Sequence, residues 1–322
     1  MDFKEIKNLA NFLERENNFL LITHKNFDYD AISSLLSLAF ILDYLKKDYI
    51  IYLDEEISND FLFLPKINEI SNKIEKDFKN VIFLDCDKKE RVSEKILEEI
   101  KNKYLVFIDH HLSNKFEGHE NYVFPEMAST TQIIYYLKNF LSIKDKKLAT
   151  LIMLGILGDT NFLRIEKEDA FYKEIFKILI NLLEEGANYY FLINKFSFKN
   201  WQSFQKSLNF LSKANKIDDI IYLVLKKEEI NNEKIDEKII ANLANQLSEI
   251  KEAKIVVVLK EKENNKIKIS LRSKGDIDVS LLAKNYFNGG GHKNSAGGYL
   301  EMDLESAIEF TLEKLKNFLQ LS

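Results

Sequence analysis

Residues 23–34 read THKNFDYDAISS, and they set His24, Asp28 and Asp30 just behind the apolar run FLLI. The same pattern returns three times: VIFL leads into Asp85 and Asp87, LVFI into Asp109, His110 and His111, and LIMLGIL into Gly158, Asp159 and Thr160. Taken alone, an aspartate at a strand end is more often a helix cap or turn former than a ligand. On that view Asp30 caps its helix, Asp87 shapes a turn, and either histidine fills a core. Recurrence at successive junctions argues for chemistry. If Asp28, Asp30, Asp85 and Asp159 converge, four carboxylates at short range cannot all ionise unless cations neutralise them. Aspartate oxygens with imidazoles and no thiolate suit Mn²⁺, with Mg²⁺ or Co²⁺ as alternatives. The single cysteine, Cys86, excludes internal disulfides and cysteine-rich zinc or iron–sulfur sites. Strand alternation turns Cys86 away from the site, where it packs, and gives Asp87 the same face as Asp85.

These residues need a scaffold that brings strand ends together. Apolar runs alternate with amphipathic stretches: NFLLITH, a helix over 30–46, YIIYLD, NVIFLDC, a helix near 90–102, and YLVFIDHH. That is the rhythm of a mostly parallel sheet flanked by helices, whose sites lie beyond the carboxyl ends of the strands. Helices follow over 129–142, capped by Ser129 or Thr130, and over 146–158. The region 165–216 reads as helical and without strands. Strands resume at 220–227, 253–261 and 266–274, so a second, smaller α/β domain is expected. It holds the one dense glycine cluster, NGGGHKNSAGG at 288–298, with Arg272 upstream in SLRSK. Such a cluster is most often a flexible turn. Arginine and histidine beside it would suit a phosphate.

The bulk properties agree. A chain of 322 residues has room for two cores, and 46% apolar with 30% charged residues describes a soluble globular protein. No apolar run approaches the ~20 residues that span a bilayer. The amphipathic N-terminal stretch does not read as a secretory signal, so a cytoplasmic location is expected. A net charge of −5 argues against an extended cationic groove for long nucleic acid. Phe and Tyr fall mostly at helical or strand spacing and read as core, and His119 in FEGHENY reads as a surface residue.

The ordered set H-x-x-x-D-x-D, strand-terminal Asp, D-H-H, G-D-T and G-G-G-H resembles the DHH/DHHA1 phosphoesterase superfamily, in its nanoRNase and pAp-phosphatase branch, over nearly the whole chain. The resemblance implies a DHH metal-binding catalytic domain at 1–185, a helical connector at 186–216 and a DHHA1 substrate-binding domain at 217–322. It implies that His24, Asp28 and Asp85 bind one metal, and that Asp30, Asp85, His110 and Asp159 bind a second, with Asp85 bridging. Asp109 would orient a ligand, and His111 would face the scissile phosphate. Arg272 and His292 would receive a substrate phosphate, with Gly289, Gly290 and Gly291 admitting backbone amides. The sequence departs from the family at Phe27, where a small residue or Pro is usual, at Ser33 and Asn161, where Gly is usual, and at Ser295, where Ala is usual. None of these departures removes a ligand.

The chemistry implied is hydrolysis of a phosphate ester by metal-activated hydroxide, with His111 stabilising charge or protonating the leaving oxygen. Expected substrates are short RNAs, linear dinucleotides such as pApA, or 3′-phosphoadenosine 5′-phosphate (pAp), with the spacing of two sites acting as a ruler. Neither long duplex nucleic acid nor membrane is an expected partner, and a homodimer is left open. The alternatives are a cyclic dinucleotide phosphodiesterase and a non-catalytic nucleotide sensor. A pyrophosphatase would lack the GGGH segment with its upstream arginine, and a RecJ-type exonuclease would need a longer binding surface.

Overall fold

The computed structural model describes residues 3–165, 167–197, 201–233 and 237–321. The chain forms two compact units, 1–197 and 198–322. Among the described residues, no helix is long and apolar enough to cross a membrane.

The first unit runs α1 (Phe3–Arg15), β1 (Phe19–Thr23), α2 (Tyr29–Tyr44), β2 (Tyr49–Tyr52), β3 (Ile70–Ser71), β4 (Asn80–Leu84), α3 (Glu94–Glu99), β5 (Tyr104–Asp109), β6 (Glu120–Val123), α4 (Thr130–Phe140), α5 (Lys146–Asp159), α6 (Asp169–Glu184) and α7 (Tyr189–Ser197). Its six strands pair in parallel in the order β3-β2-β1-β4-β5-β6. Successive strand residues feed two cores. Phe19, Leu21, Ile82, Leu84, Val106 and Ile108 face the core shared with α1, α2, α4 and α5, while Leu20, Ile22, Val81, Phe83 and Phe107 face the side covered by α3. A parallel sheet buried on both faces reads as continuous apolar runs, which is why FLLIT, NVIFL and YLVFID stood out. The direction in which the chain adds strands reverses between β1 and β4, because β1 leads outward to β2 and β4 leads outward to β5 on the other side. Crevices at such switch points are where open parallel sheets place ligands.

Some expectations shift. The helix expected near 90–102 is confined to Glu94–Glu99, preceded by a 3₁₀ turn at Lys89–Arg91. The edge strand β6 and the short β3 were not anticipated, having too few apolar residues to signal a strand. His119, directly before β6, is exposed and accepts a hydrogen bond from the Leu105 amide at 3.0 Å.

The second unit contains α8 (Trp201–Leu211), β7 (Asn215–Ile217), β8 (Ile220–Leu225), α9 (Lys227–Glu233), α10 (Glu237–Ser248), β9 (Ile255–Glu261), β10 (Lys266–Ser273), α11 (Val279–Tyr286), β11 (Gly290–His292), β12 (Ser295–Glu301) and α12 (Leu304–Leu321). Its sheet order is β11-β12-β10-β9-β8-β7, antiparallel except for β8 with β9. Alternate residues again feed two cores: Ile255, Val257, Leu259 and Leu271 lie with α11 and α12, and Val256 and Val258 lie with α8 and α10. The helices expected between 186 and 216 divide between the units, with Leu192 of α7 in the first core and Phe210 of α8 in the second.

The glycine cluster is a correction to the loop expected there. Gly290–His292 pair with Ser295–Gly297 as a β-hairpin. A Cβ on Gly289 would lie 1.9 Å from the Gly297 carbonyl oxygen, and one on Gly298 would lie 2.0 Å from that of Phe287. Close backbone packing therefore accounts for these glycines, and the Gly289 amide is already taken by the Ala283 carbonyl at 3.0 Å.

Candidate metal centre

The ends of β1 and β4 are tied by Thr23, whose hydroxyl donates to the Leu84 carbonyl at 2.7 Å. His24 follows, buried, with Nδ1 2.8 Å from the Lys25 carbonyl. A carbonyl only accepts, so Nδ1 carries a proton, and Nε2 is the ring atom that faces Asp85, 3.7 Å from its Oδ2. Asp28, not Asp30, caps α2: one of its oxygens accepts from the Asp30 and Ala31 amides at 3.0 and 3.1 Å. The other carboxylate oxygen is left for a ligand.

Asp30 is fully buried and meets the N-terminus of α4. Its oxygens accept from the Thr130 amide at 2.6 Å, the Thr131 amide at 3.0 Å and the Thr131 hydroxyl at 2.7 Å. Those are unsatisfied amides of a first helical turn, where the helix dipole favours an anion. Ser129 caps the same turn by accepting from the Gln132 amide. Gly155 makes the approach possible, since a Cβ there would stand 2.3 Å from Thr131 Oγ1 and 2.8 Å from Asp30 Oδ1.

Asp85 lies immediately beyond β4 in a left-handed conformation, φ +55°, which takes it out of the strand's alternation. This corrects the expectation that Asp87 would share its face. Asp87 instead holds Ser113 at 2.8 Å and Arg91 at 3.3 Å, as a turn residue. Cys86 is fully buried among apolar side chains, and burial pushes its thiol up to about 12. The Asp85 carboxylate accepts from the Thr130 hydroxyl at 3.0 Å and lies 3.6 Å from both His110 Nε2 and His111 Nδ1. Burial alone would raise its pKa, but His24, His110 and His111 outweigh it and hold Asp85 well below the usual carboxylate range.

Asp109 ends β5 fully buried, and its carboxylate accepts from the His110 and His111 amides, from Asn114 Nδ2 at 2.7 Å and from His111 Nδ1 at 2.7 Å. It therefore orients His111 and the backbone of the D-H-H turn. His110 is placed by the Met127 carbonyl, 3.3 Å from its Nδ1. Asp159 closes α5, with Oδ2 3.0 Å from His110 Nε2. The following residues, Asn161, Phe162 and Leu163, all have positive φ, so Asn161 stands where a residue tolerant of the left-handed region is needed.

Three overlapping sets of donor atoms result, each within 4.8 Å: His24–Asp28–Asp85, Asp30–His110–Asp159 and Asp85–His110–His111. All six residues expected to hold metal are brought together, with His111 beside them. Two observations show that the donors fit divalent cations. His110 Nε2 is buried and makes no aligned hydrogen bond among the described residues, despite the carboxylates on either side. The carboxylates also repel one another: burial together with Asp85 and Asp159 raises Asp30 well above its ordinary value, and burial with Asp28 and Asp85 pushes Asp159 up to about 6. Sequence reasoning missed Thr130, Thr131, Asn114 and Gly155. S-T-T ahead of an apolar helix did signal a cap, but its docking on Asp30 is a tertiary contact.

Arg272, Gly289, Gly290, Gly291 and His292 belong to the second unit. Arg272 pairs in register with Ser295, and Ser295 with His292, so the three side chains stand in one row on the same sheet face.

Residues 18–156 match the DHH family, N-terminal domain, and residues 218–321 match the DHHA1 domain. This chain belongs to the DHH/DHHA1 phosphoesterase family. As a DHH/DHHA1 protein it is a hydrolase acting on phosphate esters. It is 28% identical over 306 residues to the bifunctional oligoribonuclease and PAP phosphatase NrnA of Thermus thermophilus, covering 94% of this chain and 90% of that one. It is 24% identical to the cyclic-di-AMP phosphodiesterase GdpP of Bacillus subtilis, covering 96% of this chain but 48% of GdpP, about half the relative's length. The fold matches an exopolyphosphatase-related protein from Bacteroides fragilis with a TM-score of 0.89 at 24% identity, covering 99% and 97% of the two chains.

Proposed function

We propose that this DHH/DHHA1 protein hydrolyses short oligonucleotides such as nanoRNA and pApA, pAp, or both. The observation that carries the reading is the convergence of His24, Asp28, Asp30, Asp85, His110 and Asp159 at the switch point of the first sheet, with Asp85 and His110 each shared between two donor sets. His24, Asp28 and Asp85 would hold one divalent ion, and Asp30, Asp85, His110 and Asp159 a second, with Mn²⁺ the proposed metal. When bound, such a pair supplies Lewis acidity toward phosphoryl oxygens and a water acidic enough to react near neutral pH.

The chain's own groups do the rest. Asp109 takes the proton-bearing Nδ1 of His111, so any proton that His111 gives the leaving oxygen comes from Nε2. Burial works against a charged His111, but Asp109 and Asp85 outweigh it and raise its pKa above the ordinary histidine value. In the second unit Arg272 and His292 would take a terminal phosphate of the substrate. The similarity to NrnA over nearly all of both chains favours short linear substrates over cyclic ones.

Product release from pAp, pApA, cyclic di-AMP and RNAs of increasing length tests this with Mn²⁺-loaded protein beside Asp85→Ala. Turnover on short linear substrates that fades with length and vanishes in D85A is expected. Preference for cyclic di-AMP would replace the reading with a cyclic dinucleotide phosphodiesterase. Nucleotide binding without any turnover would replace it with a sensor. His111→Ala is expected to lower turnover at full metal content, and loss of metal in that variant would make His111 a ligand.

A further inference from the structure

Arg272 is a half-buried guanidinium held by neutral groups. Its Nε donates to Asn245 Oδ1 at 2.7 Å, and Nη1 donates to the Leu271 carbonyl at 2.8 Å. Among the described residues no carboxylate pairs with it, and desolvation alone lowers its pKa. Buried arginines normally meet a carboxylate, because desolvating a charge without compensation is costly. The guanidinium has five N–H donors, and two are engaged. The other three, both on Nη2 and one on Nη1, belong to a planar fork whose rotation is fixed by Asn245.

Sheet register says where that fork works. Arg272, Ser295 and His292 are directly opposite one another across β10, β12 and β11, with Ser270, Gly297 and Gly290 forming the next row. The second row carries almost no side-chain bulk, and a Cβ added at Gly290 would meet nothing within 4 Å. Asn245 reaches the same face from α10, which packs over β9 and β10. An amide carbonyl aligns the guanidinium as a carboxylate would, but leaves its charge uncancelled.

We propose that Asn245 is a positioning residue that aims Arg272 at a substrate phosphate while preserving its full positive charge. This rests on the reading of Arg272 as a phosphate-binding group. It identifies a residue that no motif marks, and it accounts for an amide where an acid would make the stronger bond. A terminal phosphomonoester, bearing more charge than an internal diester, gains most from such an arginine, so the seat selects for substrates with a phosphorylated end.

Two substitutions separate positioning from plain structural support. Asn245→Ala removes the aim and leaves the charge; Asn245→Asp keeps the hydrogen bond and cancels the charge. If Asn245 only braced the fold, N245D would be the milder change, because its bond to Arg272 is the stronger. The proposal requires the reverse order. N245D should raise KM for pAp about ten- to a hundredfold, N245A should raise it only a few-fold, and kcat should fall less than KM rises in both. Isothermal titration of AMP into the metal-free full-length protein reads the seat without turnover and should rank the variants identically. N245D binding AMP as tightly as wild type, or more tightly than N245A, would overturn the proposal, as would wild-type protein with no affinity for AMP. Absence of turnover on pAp, pApA and short RNAs with the AMP ranking intact would refute the proposed function and leave Asn245's role standing.

Discussion

At the scale of single residues, the centre pairs groups that would each be unfavourable alone. In the metal-free protein, burial opposes a charged His110, but Asp159, Asp85 and Asp30 outweigh it and push His110 up to about 10. A histidine raised above its ordinary 6.5 stabilises the fold below that value and loses the contribution as pH climbs through about 10. Asp159, pushed up to about 6, likewise stabilises the metal-free fold at acid pH and costs stability once ionised above that value. A divalent cation held by His110, as proposed, would have to displace its proton, so Mn²⁺ binding should release protons at neutral pH and affinity should rise by up to about tenfold per pH unit. Titrations in buffers of different ionisation enthalpy count the protons released. Asp159→Asn sharpens the expectation by giving opposite signs: at pH 8 the metal-free variant unfolds at higher urea than wild type, yet it binds Mn²⁺ weakly. A metal-free variant less stable than wild type would mean that the attraction between Asp159 and a charged His110 outweighs the repulsion among the carboxylates.

At the scale of elements, the proposed metal centre depends on how α2, α4 and α5 pack. Gly155 is the point where that packing leaves no room, and buried Thr131 cannot move away without releasing Asp30. Gly155→Ala should therefore cost about 1–3 kcal/mol by overpacking. Because it displaces a ligand's partner, Mn²⁺ affinity should fall with it. A urea midpoint that drops while a Mn²⁺ titration stays unchanged would show that Asp30 keeps its position without this contact. The same elements show what a sequence can reveal. Strands β1, β4 and β5 were legible because both their faces are buried, and their polar ends stood out against apolar runs. The cap of α4 was legible as local chemistry. Asp85's left-handed backbone broke the alternation that placed Asp87 beside it. The contact of Asp30 with Thr130 and Thr131 joins residues about a hundred positions apart, with no periodicity to announce it. Strand β6 is short and at an edge, so it carries little apolar signal.

At the scale of the whole molecule, charge bears on the proposed range of substrates. Acidic residues outnumber basic ones, 51 to 46, and the phosphate seat proposed here is built around a single arginine. A protein that tracks long nucleic acid neutralises many phosphates and releases a counterion at nearly every one, which makes its affinity fall steeply with salt. One or two neutralised phosphates predict a slope of only about −1 for log affinity against log salt, at about −0.7 for each phosphate on a single strand. KM for pApA and for RNAs of five and ten nucleotides, measured from 50 to 400 mM NaCl, tests this directly. Slopes that stay shallow at every length mean that added nucleotides find no further cationic contacts, and binding then gains nothing from length. A slope that steepens toward −4 for the longer RNAs would reveal a basic track and would return the protein to the processive exonucleases that its net charge argues against.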